Sequence, residues 1–217
     1  MSHAKDETII IDKIHKLYTT VVTNTKKNIT ITSTEPGDYG CCIVAHNADV
    51  TITVQSDIPD VKITIVCINY ASPDKSVKCT INAFTHHDRV VIDMTVLSLA
   101  GKWSHIDVQG GITMSQQVKD VKGYVLEETI ILDPSARVTL LPKLDIHAHQ
   151  VQASHAAKVH ALQETELFYM QAKWLSSSTS KKLYIQWYIQ NLFDKFPSMD
   201  PLFIEEQHKN IVDVLVL

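Results

Sequence analysis

The chain has 217 residues, 45% of them hydrophobic and 20% charged, with a formal net charge of -4. That length fits one domain, or one domain with an appendage, and is enough to bury a proper core. The charge balance leaves no basic footprint for nucleic acid, and no apolar run approaches the ~20 residues that span a bilayer. The N-terminal MSHAKDETIII lacks the basic region and long apolar core of a secretory signal. A cytoplasmic location is expected, with neither nucleic acid nor membrane as partner.

Residues 8 to 150 read as short strands with apolar residues at every second position. Ile29 and Ile31 alternate with threonines, as do Val50, Ile52 and Val54. Val61, Ile63, Ile65 and Cys67 follow, then Val77, Cys79, Ile81 and Ala83. Next come Val90, Ile92, Met94 and Val96, and then Ile106 and Val108. Val138 and Leu140 precede Leu144, Ile146 and Ala148. His86-His87-Asp88 reads as a loop. Strand starts recur at roughly 10–16 residues, which suits a sandwich, a barrel or a solenoid. Asn-Gly and Asp-Gly hairpin turns are absent, and glycine totals 6. A flattened β-helix with two strands per rung would repeat every ~20–25 residues. NITITS at 28 and VTITVQ at 50 stand 22 residues apart. Periodicity alone leaves the three architectures open.

The cysteines are Cys41, Cys42, Cys67 and Cys79, with no C-x-x-C pair, which argues against structural zinc. Cys67 and Cys79 lie in phase with the inward apolar residues and read as small core hydrophobes. Cys41 and Cys42 are neighbours on a strand, so one of them should face outward.

The pattern changes after Ala153, which divides the chain into a core at 1–153 and a helical part at 154–217. Residues 163 to 174 fit a short helix, with Glu164 and Glu166 opposing its positive dipole end. Ser176 is the expected N-cap of the next helix. That helix carries Ile185, Tyr188, Ile189, Leu192, Phe193 and Phe196 along one face. Pro197 and Pro201 bound a turn, and 202–213 fit a last short helix before the apolar tail VDVLVL.

One stretch carries a family resemblance. Pro142, Leu144, Ile146, Val151, Ala153, Ser154, His155, Ala157, Leu162, Glu166, Leu167, Phe168, Tyr169 and Ser176 fall without gaps on a recurrent pattern. The chain thereby resembles the SufB/SufD family of iron–sulfur cluster assembly proteins, over roughly residues 120 to 195. The resemblance implies an all-β core with an α appendage: a flattened right-handed parallel β-helix followed by a small C-terminal helical domain. It implies a scaffold and not an enzyme. Pairing would run through the last rungs, with a second copy or a SufB-like paralogue. A SufC-like ATPase would dock on the helical end, around Leu167, Phe168, Tyr169 and Lys173. A transient iron–sulfur cluster would form at the pairing interface. No G-x-x-x-x-G-K-[ST] motif occurs, so nucleotide would belong to another chain.

The resemblance makes His155 the leading cluster-assembly residue, and imidazole suits both iron ligation and proton handling. SufB-type members carry a cysteine on an upstream strand, where ungapped alignment puts Glu127. Carboxylate is a poor iron–sulfur ligand compared with thiolate, so the chain is similar to SufD and not SufB. Glu127 or the adjacent Glu128 remains as a carboxylate ligand. Lys173-Trp174 stands where the family has Arg-Gly. Typical members are about twice as long, so the resemblance implies a short member.

Asp145, His147 and His149 should alternate outward on one strand, a spacing open to metal binding but better suited to a solvated face or a pairing contact. An amidohydrolase reading fails, because that motif needs a (β/α)8 barrel of ~250 residues. A competing class is a β-helix protein that acts on or binds carbohydrate, which would need carboxylates along a groove. The outward residues are mostly Thr, Lys, Asn and Gln, with no such pair. A third reading is a SufD-like bridge between ATPase subunits that has lost cluster chemistry.

Overall fold

The computed structural model describes residues 5–11, 17–162, 165, 167–168, 174–196, 205–206 and 209. Successive strands alternate between two sheets, and every pairing is parallel. The first sheet holds β1 (Lys5–Ile11), β3 (Lys26–Ser33), β5 (Asp49–Ser56), β7 (Ser76–Thr85) and β9 (His105–Met114). Two short strands, β11 (Arg137–Leu140) and β12 (Lys143–Ile146), both pair with β9. The second sheet holds β2 (Leu17–Thr23), β4 (Gly37–His46), β6 (Val61–Ala71), β8 (Val91–Ala100), β10 (Lys119–Ile131) and β13 (Gln150–Ala161). Facing residues stand 22 or 23 apart in the early strands, as at Asp6–Asn28 and Ser33–Ser56. The spacing grows to 29 at Asn69–Ser98 and 32 at Trp103–Ser135. The repeat read from the sequence thus holds for the first rungs and lengthens afterwards, mainly through longer turns between the strands.

The apolar alternation is what brings the two sheets face to face. Ile29, Ile31, Val50, Ile52, Val54, Cys79, Ile81 and Val108 from the first sheet meet Ile63, Ile65, Cys67, Ile92, Met94 and Val96 from the second, all at most 1% exposed. Burying each such side chain stabilises by about 1.5–3 kcal/mol. The turns between strands use few glycines because Asn and Asp supply the left-handed backbone. Asn24, Asn47, Asp60, Asp74 and Asp120 have φ of 50–60°, a region these residues tolerate better than most. Arg89 shares that conformation (φ 56°) and bonds Asp60 through Nε at 2.5 Å and an Nη at 2.7 Å.

The second sheet is also covered on its outer side. Helix α1 (Ser177–Phe193) starts at the expected cap, where Ser176 Oγ accepts from the Thr179 amide at 3.1 Å. Ile185, Ile189, Leu192, Phe193 and Phe196 pack onto Cys42, Val44, Val66, Ile68, Leu97, Leu99 and Ile130. The helical stripe was legible in the sequence, but its receptor was not. Cys42 does point outward from the inter-sheet core, as expected of one of the adjacent pair, yet it is 0% exposed under the helix. Trp174 takes φ 68° and is 98% exposed.

One expectation needs correction. Strand structure does not end at Ala153, because β13 continues to Ala161 in register with β10. It is an edge strand with mostly exposed residues, and its alternation (Val151, Ala153, Ala157, Val159 and Ala161 in one phase) is weak because small alanines and His155 occupy much of it. Of the expected helix 163–174, Thr165, Leu167 and Phe168 are helical. Tyr169 and Lys173 lie outside the described residues, as does the tail from 210 onward. In the expected last helix, Glu205, Glu206 and Lys209 are helical. Among the described residues no helix is long and apolar enough to cross a membrane.

Candidate functional site

The polar residues of interest gather where the two sheets end, on β10, β13 and the strands facing them. Along β10, Val121, Val125 and Glu127 point into the inter-sheet core, and Glu128 and Ile130 point toward α1. Glu127 is 0% exposed. Its Oε1 accepts from the Gly110 amide on β9 at 2.6 Å, and its Oε2 has no hydrogen-bond partner. Gly110 is required there, since a Cβ would lie 2.6 Å from that Oε1. Burial pushes the Glu127 carboxyl up to about 7, against the opposing pull of the Gly110 and Leu141 amides. A carboxyl in that range exchanges a proton near neutrality.

His155 lies on β13 opposite Val125, and Ala157 lies opposite Glu127. His155 and Glu127 therefore share one face of the sheet as diagonal neighbours, a spacing of about 7–8 Å between backbones. His155 is exposed and Glu127 is buried, flanked by the small Ala157 on the edge side and by Val96 on the other. The structure thus brings the two leading candidates to one edge.

His147 and His149 do not share a strand with Asp145 as expected, because β12 ends at Ile146. Ile146 is 43% exposed and not directed inward. The chain leaves β9 there to reach the other sheet. His147 Nε2 lies 3.0 Å from Asp145 Oδ1. His149 turns instead to an open cleft of about 530 Å³ lined by Asp120, Lys122 and Gln152. Among the described residues no three His, Cys, Asp or Glu side chains converge as a metal site.

All four thiols are buried. Burial pushes the Cys41 thiol up to about 12 and Cys42 higher. Cys67 is raised by its contact with Cys79 Sγ, 3.5 Å away, and by burial. None presents a thiolate to solvent. Among the partner-binding candidates, Leu167 is 3% exposed and Phe168 is 70% exposed.

Sequence reading passed over a polar cluster on the outer side of β10. Glu128 Oε1 lies 2.5 Å from Lys158 Nζ and 3.6 Å from His160 Nδ1. The Tyr188 hydroxyl also approaches Glu128, and the Tyr188 and His160 ring centroids are 6.1 Å apart. The only sequence signal was the phase: Lys158 and His160 share one face of β13, and Tyr188 lies on the apolar stripe of α1.

Comparison with known proteins places this geometry in a family. Residues 45–186 match the family described as "SUF system FeS cluster assembly, SufBD core domain". That match takes in strands β5 to β13 and the first part of α1. The chain belongs to the SufBD family. It is 29% identical over 107 residues to "Protein ABCI7, chloroplastic" of Arabidopsis thaliana, covering 49% of this chain and 22% of that protein. It is 26% identical over 88 residues to an iron–sulfur cluster assembly SufBD family protein of Synechocystis, covering 41% of this chain and 19% of that one. A SufBD family protein of Pyrococcus horikoshii is 25% identical over 81 residues, 37% of this chain and 18% of that protein. The matched stretches therefore span about a fifth of those relatives' lengths.

Proposed function

We propose that the chain is a cytoplasmic, non-enzymatic scaffold of SUF-type iron–sulfur cluster assembly. Its two sheets wind as a flattened right-handed parallel β-helix, a reading supported by the alternating strands and uniformly parallel pairing. It pairs through β13 with a second copy or a SufB-like paralogue. It docks a SufC-like ATPase through the helical part after β13, with Leu167, Phe168, Tyr169 and Lys173 in that region. The cluster is cargo, assembled transiently at the pairing edge, where His155 offers imidazole and Glu127 a carboxyl that takes up and releases a proton.

The observation that carries this reading is the difference between the two terminal edges. An unpaired strand edge invites pairing with another chain. The first sheet ends in two four-residue strands, interrupted at Leu141-Pro142 and bearing Arg137 and Lys143. The second ends in β13, 12 uninterrupted residues with Ala153, Ala156, Ala157 and Ala161. Small side chains let another backbone approach, and the face shared by Glu127 and His155 lies on this open edge. Co-expression with a SufC-like ATPase and a SufB-like paralogue tests the reading, followed by co-purification and sedimentation. Stable complexes that a proline at Ala156 abolishes are expected. A chain that stays monomeric and binds neither partner overturns it.

A narrower version has one observation in its favour. With Glu127 in the place of a cysteine and every thiol buried, this chain supplies no thiolate ligand. It would then bridge ATPase subunits while the paralogue carries the cluster chemistry.

A further inference from the structure

We propose that Glu128 and Tyr188 are positioning residues that tie the edge strand β13 to helix α1, so that a partner gripping the helix sets the alignment of the pairing edge. The tie is argued from this structure alone; its consequence for pairing rests on the reading of β13 given above.

The helix holds most of the second sheet by apolar contact. Leu17, Val44, Ile68, Leu99 and Ile130, one from each of β2, β4, β6, β8 and β10, pack in the same cluster as Ile185, Ile189 and Phe193. No residue of β13 belongs to that cluster. Its outward positions carry Gln152, Ser154 and Ala156, all exposed, and then Lys158 and His160. Within the strand only these last two reach what lies under the helix, and Leu162, just past its end, packs at the edge of the apolar cluster. They do so through Glu128, which is 6% exposed.

A carboxylate so nearly withdrawn from water is costly unless it is paired and hydrogen-bonded. Its partners come from two different elements. Lys158 and His160 approach from β13, at 2.5 and 3.6 Å. The Tyr188 hydroxyl approaches from α1, and its ring lies 6.1 Å from that of His160, centroid to centroid. Tyr184 stacks behind Tyr188 at 6.2 Å. Loss of either side leaves the same carboxylate under-satisfied, so the C-terminal half of β13 and the helix stabilise each other through it. The N-terminal half of β13 has no such tie.

Amide hydrogen exchange on the full chain tests this. Tyr188→Phe keeps the ring and removes the hydroxyl, and Glu128→Gln keeps the shape and removes the charge. Both should accelerate exchange over residues 156–161 by about fivefold or more, the scale of one hydrogen bond to a charged group. Exchange over 61–71 in β6 and over 150–154 should not change, nor should Gln190→Ala, at an exposed position of α1, have any effect. Unchanged exchange at 156–161 overturns the tie. So does equal acceleration across the whole second sheet, which would make Tyr188 a general stabiliser. Affinity for the pairing partner is the second measurement, at equal folded protein. A drop of about fivefold in Tyr188→Phe is expected, and equal affinity overturns the link to pairing. If the unmodified chain pairs with nothing, the scaffold reading falls together with that link, and the exchange result still decides the tie.

Discussion

The Gly110 amide and the Glu127 carboxylate face each other across the two sheets at 2.6 Å, in a space that exists because residue 110 has no side chain. A Cβ on residue 110 would also come within 3.3 Å of Val125 Cγ1. Gly110→Ala must therefore displace the carboxylate and break its one close hydrogen bond. A loss of about 1–3 kcal/mol is expected, the usual scale of overpacking. The two positions should be coupled. In a Glu127→Ala background the space is vacant, and Gly110→Ala should cost less by ~1 kcal/mol or more. Urea denaturation of the four proteins measures the coupling, and strictly additive losses would contradict the contact.

Glu127 should also set a pH dependence. Burial raises its carboxyl from 4.5 to about 7 in the folded chain. The folded state then holds the proton more tightly than the unfolded state. Its contribution to stability is fully present below the unfolded value of 4.5 and is lost as pH rises through about 7. Glu127→Gln removes this titration and keeps an acceptor for the Gly110 amide. The variant should match the parent near pH 4 and exceed it near pH 8 by on the order of 2 kcal/mol. Denaturation midpoints across that range decide it, and parallel profiles for the two proteins would refute the assignment.

The helical part cannot be removed without consequence. Ile185, Ile189, Leu192, Phe193 and Phe196 cover Val66, Ile68, Leu97 and Leu99, all 0% exposed. Deleting residues 163–217 should uncover that face and give an aggregating product, visible by dye binding and light scattering. Ile189→Ala should cost about 2–5 kcal/mol. ATPase docking is better probed with Leu183→Ala and Trp187→Ala, which are 42% and 59% exposed. These should leave the melting temperature nearly unchanged and weaken ATPase co-purification. Full retention would move the docking surface elsewhere.

The histidines should separate in reconstitution. His155 shares the edge with Glu127, whereas His147 pairs with Asp145 and His149 faces a different cleft. With partner chains, iron and sulfide under anaerobic conditions, His155→Ala should lower the visible absorbance of the cluster. His147→Ala and His149→Ala should behave as the parent. Each substitution is at an exposed position and should change stability by no more than ~1 kcal/mol. Equal yields from all three at equal folded protein would favour the bridging role.

The alternation of single side chains made the strands legible without coordinates, because a strand buried on one side repeats every second residue. Ile29 to Ile31, Val50 to Val54 and Val90 to Val96 are all core, as their spacing required. Ser176 and the stripe from Ile185 to Phe196 likewise marked a capped helix with one apolar face. The ungapped run through Ser154-His155 to Leu167-Phe168 pointed to the SufBD family. Local pattern could not say what covers the second sheet. The outward Val44, Val66, Ile68, Leu97 and Leu99 fill the alternate phase of their strands, and periodicity carries no information on which distant segment receives them. Nor could it place Gly110 against Glu127, 17 residues apart in the chain, or Glu128 against Tyr188. Those contacts depend on how the rungs stack and where the helix lies back across them. β13 is not legible past Ala153 because its one-phase residues Ala157, Val159 and Ala161 are small or exposed, and the strand is specified mainly by the hydrogen bonds β10 offers it.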